Sequence, residues 1–308
     1  MTIAIPTFNR VGDLPMAVES VLGQTGIELD VVILDNGSSD GTEQYCRALA
    51  VRDGRVRYLR SDRNLGPTEN FNRGSREAVS EYFMWLGDDD WVDPGYVRSC
   101  VDVLERSPDV VLAAGPVRYY RKGVFAYSGV MVNVDATSGP ARVRSYFRQV
   151  KDNGTFYGVM RASVLRSVPE TTNELGGDWL LLAALAMRGR IATCTRGPMA
   201  HRALGGSTSS LRNVAESIGA SSFAAEFPQL AIAATVWRDI GWRSPAYAEL
   251  SPIARWWLGA TCAAVIAVRF VVPSVPKYIR LKCRALRLCL KRRSGSPDKH
   301  VEAVGGSE

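Results

Sequence analysis

Through the first hundred residues, short apolar runs alternate with segments whose apolar side chains recur every three to four positions, the pattern of strand–helix–strand units around a parallel sheet. Thr2–Pro6 reads as a strand, followed by a helix with Leu14, Val18, Val21 and Leu22 on one face, Asp13 as its N-cap and Gly23 closing it. Leu29–Leu34 is the second strand. It runs into the polar turn Asp35-Asn36-Gly37-Ser38-Ser39-Asp40-Gly41, where Asp40 is placed to cap a helix over Thr42–Val51. A strand at Val56–Leu59, a helix at Thr68–Ser80 and a strand at Tyr82–Leu86 follow, and the last ends in Gly87-Asp88-Asp89-Asp90. Four strand ends therefore gather polar loops on one sheet edge, where ligands bind in open α/β folds.

Beyond residue 110 the pattern is less regular. Val110–Ala114 and Phe156–Met160 suggest a mixed extension of the sheet, Asp178–Met187 an apolar helix and Ile191–Thr195 a further strand. Gly205–Ser210 is a Gly/Ser-rich loop suited to movement. The chain then reads as helical, with Ser244-Pro245 and Ser251-Pro252 each giving an N-cap followed by proline at the first helical position. Residues 294–308 are polar and aperiodic, so disorder is expected there.

At 308 residues, 46% apolar and 22% charged, the chain has the material for one large domain with an appendage. Its six cysteines form no C-x-x-C pair, which argues against a zinc ribbon and for a reducing compartment. No secretory signal is expected, because Met1 leads directly into the first apolar run. The net charge of +7 changes meaning once located: ten Lys/Arg and no acid fall between Arg255 and Arg293, leaving 28 basic against 31 acidic residues elsewhere. A mildly acidic body with a basic tail argues against a nucleic-acid groove and for a tail that meets an anionic membrane surface.

Asp88, Asp89 and Asp90 repel one another unless a cation or solvent screens them. Converging carboxylates at a strand end suit Mg²⁺ or Mn²⁺ holding a diphosphate; the alternative is a solvated acidic turn. Arg10 is placed either to meet phosphate or to stand as a surface cation.

The segments Ile3-Ala4-Ile5-Pro6-Thr7-Phe8-Asn9-Arg10, Val31–Thr42 with its Asp35-Asn36-Gly37-Ser38, Asn64-Leu65-Gly66, and Trp85-Leu86-Gly87-Asp88-Asp89-Asp90 with Pro94, together with Gly177-Asp178-Trp179 and His201-Arg202, resemble the family 2 glycosyltransferases of GT-A fold. The resemblance covers roughly residues 1–210. It implies a Rossmann-like α/β fold with a mostly parallel mixed sheet flanked by helices, here with a helical C-terminal extension. It also implies inverting, metal-assisted transfer of a sugar from a nucleotide diphosphate sugar, UDP- or dTDP-type favoured, to a hydroxyl of a lipid-linked or cell-envelope glycan. On this resemblance Pro6, Thr7, Asn9, Arg10, Asp35, Asn64, Gly66, Asp88, Asp89 and Arg202 bind the nucleotide sugar. Asp35 takes the imide N–H of a pyrimidine base, unless it only caps its turn with Asn36. Asp90 is the main metal ligand, with Asp88 and His201 as further candidates, although a lone histidine is as readily structural.

The commonest pattern, Asp-x-Asp-Asp, is broken by Gly87, which puts the ribose contact in doubt more than the metal. Asp178 stands where the family places the catalytic base; otherwise it would merely cap its helix, and Gly177 replaces the glutamate often found before it. Trp179 beside it is an acceptor wall or core. Two other activities fit less well: a nucleotide-sugar-binding protein without turnover, and a sugar nucleotidyltransferase, whose Gly-rich phosphate loop is missing.

The expected organisation is a catalytic domain over 1–210, a packing helical extension over 211–250, basic apolar membrane-associating helices over 251–293 and a tail. Trp256–Val268 is short for a bilayer crossing, which needs roughly 20 residues. After Pro276, Lys277, Arg280, Arg284, Arg287 and Lys291 form one helical stripe and Ile279, Cys283, Leu286 and Leu290 another, the pattern of a helix lying among lipid headgroups. A dimer helix or a packing helix are the alternatives. The expectation is a cytoplasmic enzyme, peripheral on the inner face of the membrane, with a homo-oligomer possible.

Overall fold

The computed structural model describes residues 1–204 and 210–272. The loop over 205–209, the basic helix expected after Pro276 and the tail over 294–308 lie outside the described residues. In chain order the elements are β1 (Thr2–Thr7), α1 (Leu14–Leu22), β2 (Asp30–Asp35), α2 (Thr42–Arg52), β3 (Val56–Arg60), α3 (Pro67–Arg76), β4 (Tyr82–Trp85), β5 (Trp91–Val92), α4 (Tyr96–Arg106), β6 (Val110–Ala114), β7 (Val117–Arg121) and β8 (Val124–Ser128). Then come α5 (Gly139–Gln149), β9 (Val159–Arg161), α6 (Ala162–Leu165), α7 (Gly177–Arg188), β10 (Arg190–Thr193), β11 (Ala200–Ala203), α8 (Leu211–Ser217), α9 (Ser222–Glu226), α10 (Pro228–Arg238) and α11 (Pro252–Ile266).

Seven strands form the main sheet in the order β10-β6-β9-β4-β1-β2-β3, parallel except for β9, which runs antiparallel to β4 and β6. β1 is buried along its whole length because helices cover both faces. Strand periodicity divides its neighbours cleanly. Ala4, Val32, Leu34, Phe83 and Trp85 join one core; Ile3, Ile5, Val31, Ile33, Tyr82 and Met84 join the core on the opposite face. α3 lies against the first of these at Gly74, where a Cβ would come within 2.9 Å of the Trp85 indole nitrogen and 3.0 Å of the Ala4 Cβ. A second sheet, β5-β11-β7-β8, stands at the strand-end side.

The α/β reading holds, with local differences. Phe156 belongs to a 3₁₀ turn over Gly154–Tyr157 rather than to a strand, and stacks on Trp85 at 4.8 Å between ring centroids. α3 ends at Arg76, short of Ser80. Asp13 makes no cap; its carboxylate pairs with Arg10 at 3.1 Å. Ser244 and Ser251 do cap, accepting from Ala246 N and Ala254 N.

The C-terminal helices are continuous with the catalytic body. Ile232, Val236, Ile240, Leu258, Cys262 and Ile266 share one core with Val143, Tyr146 and Leu182. Arg269 adds hydrogen bonds to the carbonyls of Phe147 and Val150, at 2.7 and 2.8 Å. α11 continues as a π-helical stretch to Val271, and Pro252–Val271 is the one helix among the described residues long and apolar enough to cross a membrane. One side of it is nevertheless integral to the protein core.

Candidate active site

The loops after β1 and β2 are fastened to each other before any ligand is considered. Asn9, at φ 54°, takes the left-handed conformation that asparagine tolerates. Its N–H donates to Ser38 Oγ at 2.9 Å and its Oδ1 accepts from Ser39 N at 2.8 Å. Asp40 accepts from Val11 N, Thr42 N and Thr42 Oγ1, so one carboxylate both caps α2 and secures the first loop. Pro6 is buried within β1. Asn64 Oδ1 accepts from Asn36 Nδ2 and from Gly66 N, both at 2.8 Å, which shapes the turn into α3.

Asp35 is fully buried; Oδ1 accepts from Ser38 N at 2.9 Å and Oδ2 from the Tyr58 hydroxyl at 2.6 Å, with Arg60 at 3.7 Å. The tight turn folds the carboxylate back onto its own Ser38, so it braces the loop after β2.

The acidic turn is strained by its own charge. Thr7 presents a buried hydroxyl beside Asp88. Asp88 keeps some exposed surface, yet the surrounding protein removes most of its hydration. Burial pushes its carboxyl up to about 7; Asp89 adds to the rise and Thr7 and Arg10 oppose it. Arg10 stands 4.0 Å from Asp89, and although burial works against its charge, Asp88 and Asp89 raise its pKa. Asp90 is 1% exposed. Its Oδ1 accepts from Ala203 N at 2.9 Å, and its Oδ2 lies 2.9 Å from Arg202 Nε without an aligned hydrogen bond. Burial raises the Asp90 pKa and Arg202 pulls it back.

Gly87 explains the departure from the commoner acidic pattern. A Cβ there would stand 2.5 Å from Asp90 Oδ2 and 3.4 Å from Asp89 Oδ1. The glycine leaves a cradle into which two carboxylates lean. These hard oxygen donors, one of them a buried orphan, fit a hard divalent cation. No group of three or more metal-ligating side chains converges among the described residues, so a diphosphate would have to complete the shell.

Arg202 links this turn to the acceptor side. Its guanidinium lies over the Tyr157 ring at 3.5 Å and reaches Asn153 Oδ1 at 3.4 Å. His201, its neighbour on β11, must point to the opposite face of the strand. There its Nε2 meets Asp93 Oδ1 at 2.8 Å, its Nδ1 meets the Tyr120 hydroxyl at 3.1 Å, and its ring stacks on Trp91. Both nitrogens are occupied and aimed away from the acidic turn.

Asp178 opens α7 after Gly176, a left-handed N-cap at φ 82°. Its Oδ1 accepts from the adjacent Trp179 N at 2.9 Å. Burial raises its pKa, while that backbone bond, Arg202 and a side-chain bond from Asn153 moderate the rise. Asp178, Asn153, Tyr157 and Arg202 line one cleft of about 500 Å³, with Phe71, Trp179, Ile266 and Phe270 on its apolar walls. Sequence reading missed Asn153, Tyr157, and the Tyr119 hydroxyl bonded to Asp152 at 3.0 Å. The polar Asp152-Asn153-Gly154 turn between apolar segments was the available signal.

Comparison with known proteins bears on this arrangement. A curated Campylobacter jejuni relative, GalNAc(5)-diNAcBac-PP-undecaprenol beta-1,3-glucosyltransferase, is 26% identical over 170 residues, 54% of this chain and 53% of that protein. The chain thus spans about half the length of that relative. Among solved structures, S. aureus TarS 1-349 superposes with a TM-score of 0.59 at 13% identity, covering 89% of this chain and 73% of that one. The mannosyltransferase PcManGT from Pyrobaculum calidifontis, in complex with GDP-Man and Mn2+, superposes with a TM-score of 0.53 at 16% identity, covering 92% and 80%. These likenesses establish the fold. The family profile described as glycosyl transferase family 2 matches residues 2–168, from β1 through α6 and more than half of the sequence; the chain belongs to that family.

Proposed function

We propose that the protein is an inverting glycosyltransferase that moves one hexose from a nucleotide diphosphate sugar, UDP- or dTDP-type, to a hydroxyl of a lipid-linked or cell-envelope glycan. The observation that carries this reading is Asp178: a carboxylate of raised pKa, at a helix start, in the same cleft as the Arg202 that pairs with the acidic turn. The name of the Campylobacter relative supports a lipid-linked acceptor, and the Mn2+ complex of the archaeal neighbour supports a divalent cation.

In this mechanism Thr7, Asn9 and Arg10 flank the nucleotide and its phosphates. Asp90 and Asp88 are the residues to hold Mg²⁺ or Mn²⁺, whose chemistry is to neutralise charge on the departing diphosphate. Arg202 supplies a fixed cation beside them. Asp178 takes the proton of the acceptor hydroxyl as its oxygen bonds to the anomeric carbon from the face opposite the leaving group, so that the carbon–diphosphate bond breaks with inversion. A raised pKa suits a base working near neutrality. Residues 1–210 form the donor side and the later helices complete the acceptor side. The working location is the cytoplasmic face of the membrane, as a monomer or a homo-oligomer.

Calorimetry with UDP-, dTDP- and GDP-sugars, with and without Mn²⁺, tests the donor assignment. Cation-dependent binding of a uridine or thymidine sugar, followed by transfer with inverted anomeric configuration, is expected. Retained configuration, or binding indifferent to chelation, overturns the mechanism.

A further inference from the structure

The helix over Pro252–Val271 has two unlike sides. Leu258, Cys262 and Ile266 are core, whereas Ile253, Trp257, Thr261, Ala264, Val268 and Val272 face solvent. These six recur at helical spacing, a stripe about 30 Å long without a charge. Ile253 is 73% exposed and Val268 65%. Because the opposite side is built into the core, spanning a bilayer would strip that core from α5 and α10; only the outer side is available.

Two further features surround the stripe. Trp237, Trp242, Trp256 and Trp257 meet at its start in edge contacts, 5.0 to 5.8 Å between centroids, and each keeps a third or more of its surface exposed. Tryptophan is the side chain most at home at the headgroup level, apolar in body and able to donate one hydrogen bond. The flanks are cationic. Arg144 and Arg148 of α5 lie near enough to act on Cys262, and Arg255 and Arg269 hydrogen-bond to backbone carbonyls. Arg255 lies near enough to Asp239 to pull its pKa down, whereas no carboxylate forms an ion pair with Arg144, Arg148 or Arg269 among the described residues.

We propose that this face is a docking surface for an anionic phospholipid bilayer, with the helix lying in the headgroup plane, the tryptophans and the Ile253–Val272 stripe inserted and Arg144 and Arg148 on lipid phosphates. Charge complementarity selects this occupant: a second copy of the chain would bring the same Arg144 and Arg148 together. Ile266 and Phe270, on the side of the same helix away from the stripe, line the cleft, so one helix carries both the docking face and a cleft wall. Only the purpose of docking, access to a lipid-linked acceptor, rests on the transferase reading.

The test uses the full chain and vesicles of 70% phosphatidylcholine and 30% phosphatidylglycerol, with pure phosphatidylcholine as control, scored by flotation. Partition is expected to favour the anionic vesicles and to survive partly in 0.5 M salt. Trp257→Ser combined with Val268→Ser should lower it about tenfold or more. Arg144→Gln with Arg148→Gln should lower it several-fold and only at low salt. Circular dichroism and UDP binding report that the variants remain folded. Equal partition by the wild type and both variants overturns the proposal, as does failure of the wild type to float while it sediments as a dimer that Trp257→Ser dissociates. Loss of nucleotide binding in a wild type that still floats would count against the transferase reading and leave the surface standing.

Discussion

The acidic turn after β4 and the first turn of α7 both hold carboxylates raised by burial, yet they are built on opposite plans. In the turn two of three consecutive carboxylates lean into a glycine cradle, and Asp90 is held by Arg202 and a backbone N–H. At α7 a single carboxylate sits against one backbone N–H and Asn153, with an apolar cleft beyond it. Charge clustered against its own repulsion favours a cation; isolated charge with few partners favours a proton. In the proposed mechanism the same residue type, raised by the same cause, is thereby directed to two kinds of chemistry by the number of its neighbours.

The largest effect expected of this contrast is on turnover. Asp178→Asn keeps shape and removes basicity, so transfer should fall about 10²–10⁴-fold with donor binding intact in calorimetry. Near-normal transfer would move the base elsewhere. Next comes stability: Arg202→Met leaves Asp90 buried without its cation and should cost about 3–5 kcal/mol in denaturant unfolding. Adding Mn²⁺ should restore part of the loss there, but not in Arg202→Met with Asp90→Asn. If both respond alike, the turn is not where the cation goes.

Acidity sharpens the comparison further. The Asp88 carboxyl, raised to about 7 by burial, makes the folded form take up a proton that the unfolded chain has already released above about 4. Stability contributed through this group is therefore lost as pH rises from about 4 to 7. Asp88→Asn should match the wild type near pH 4 and melt several degrees higher at pH 8 without metal. For Asp178 the sign appears in rate: the acid limb of activity should lie above the ordinary carboxylate range, and Asn153→Ala, which removes a bond favouring the charged form, should move it to still higher pH. The smallest effect is expected of His201→Gln, which should leave cation affinity unchanged, since the ring faces Asp93 and Tyr120.

Much of this was legible in the sequence where one period dominated. The runs at Ile3–Ile5 and Val31–Leu34 could only be strands buried on both sides, and the polar ends they lead to marked the site. Asp35 and His201 show what a motif leaves open: it gives the residue type but not where a three-residue turn points a carboxylate, and adjacent positions on a strand cannot share a face, so Arg202 and His201 look opposite ways. Asn153 and Tyr157 belong to an irregular stretch, where no periodicity announces which side chains converge. The sequence sets the helix after residue 251 apart from the catalytic body, because apolar composition does not distinguish an outward-facing side from a core-facing one; α11 has both.

That shared helix also imposes an order on synthesis. Tyr146, Phe147 and Val150 of the α5 region emerge from the ribosome more than a hundred residues before Cys262 and Ile266, which share their core, and Arg269, which donates to the carbonyls of Phe147 and Val150. Until those residues arrive, the segment that carries Asp152 and Asn153 lacks its backing and one wall of the cleft is missing. Contacts this distant in sequence close late and slowly. A nascent chain would thus form the first strands early and the finished cleft only near its end, and premature termination before residue 252 should give an aggregation-prone, half-cored protein and no soluble domain.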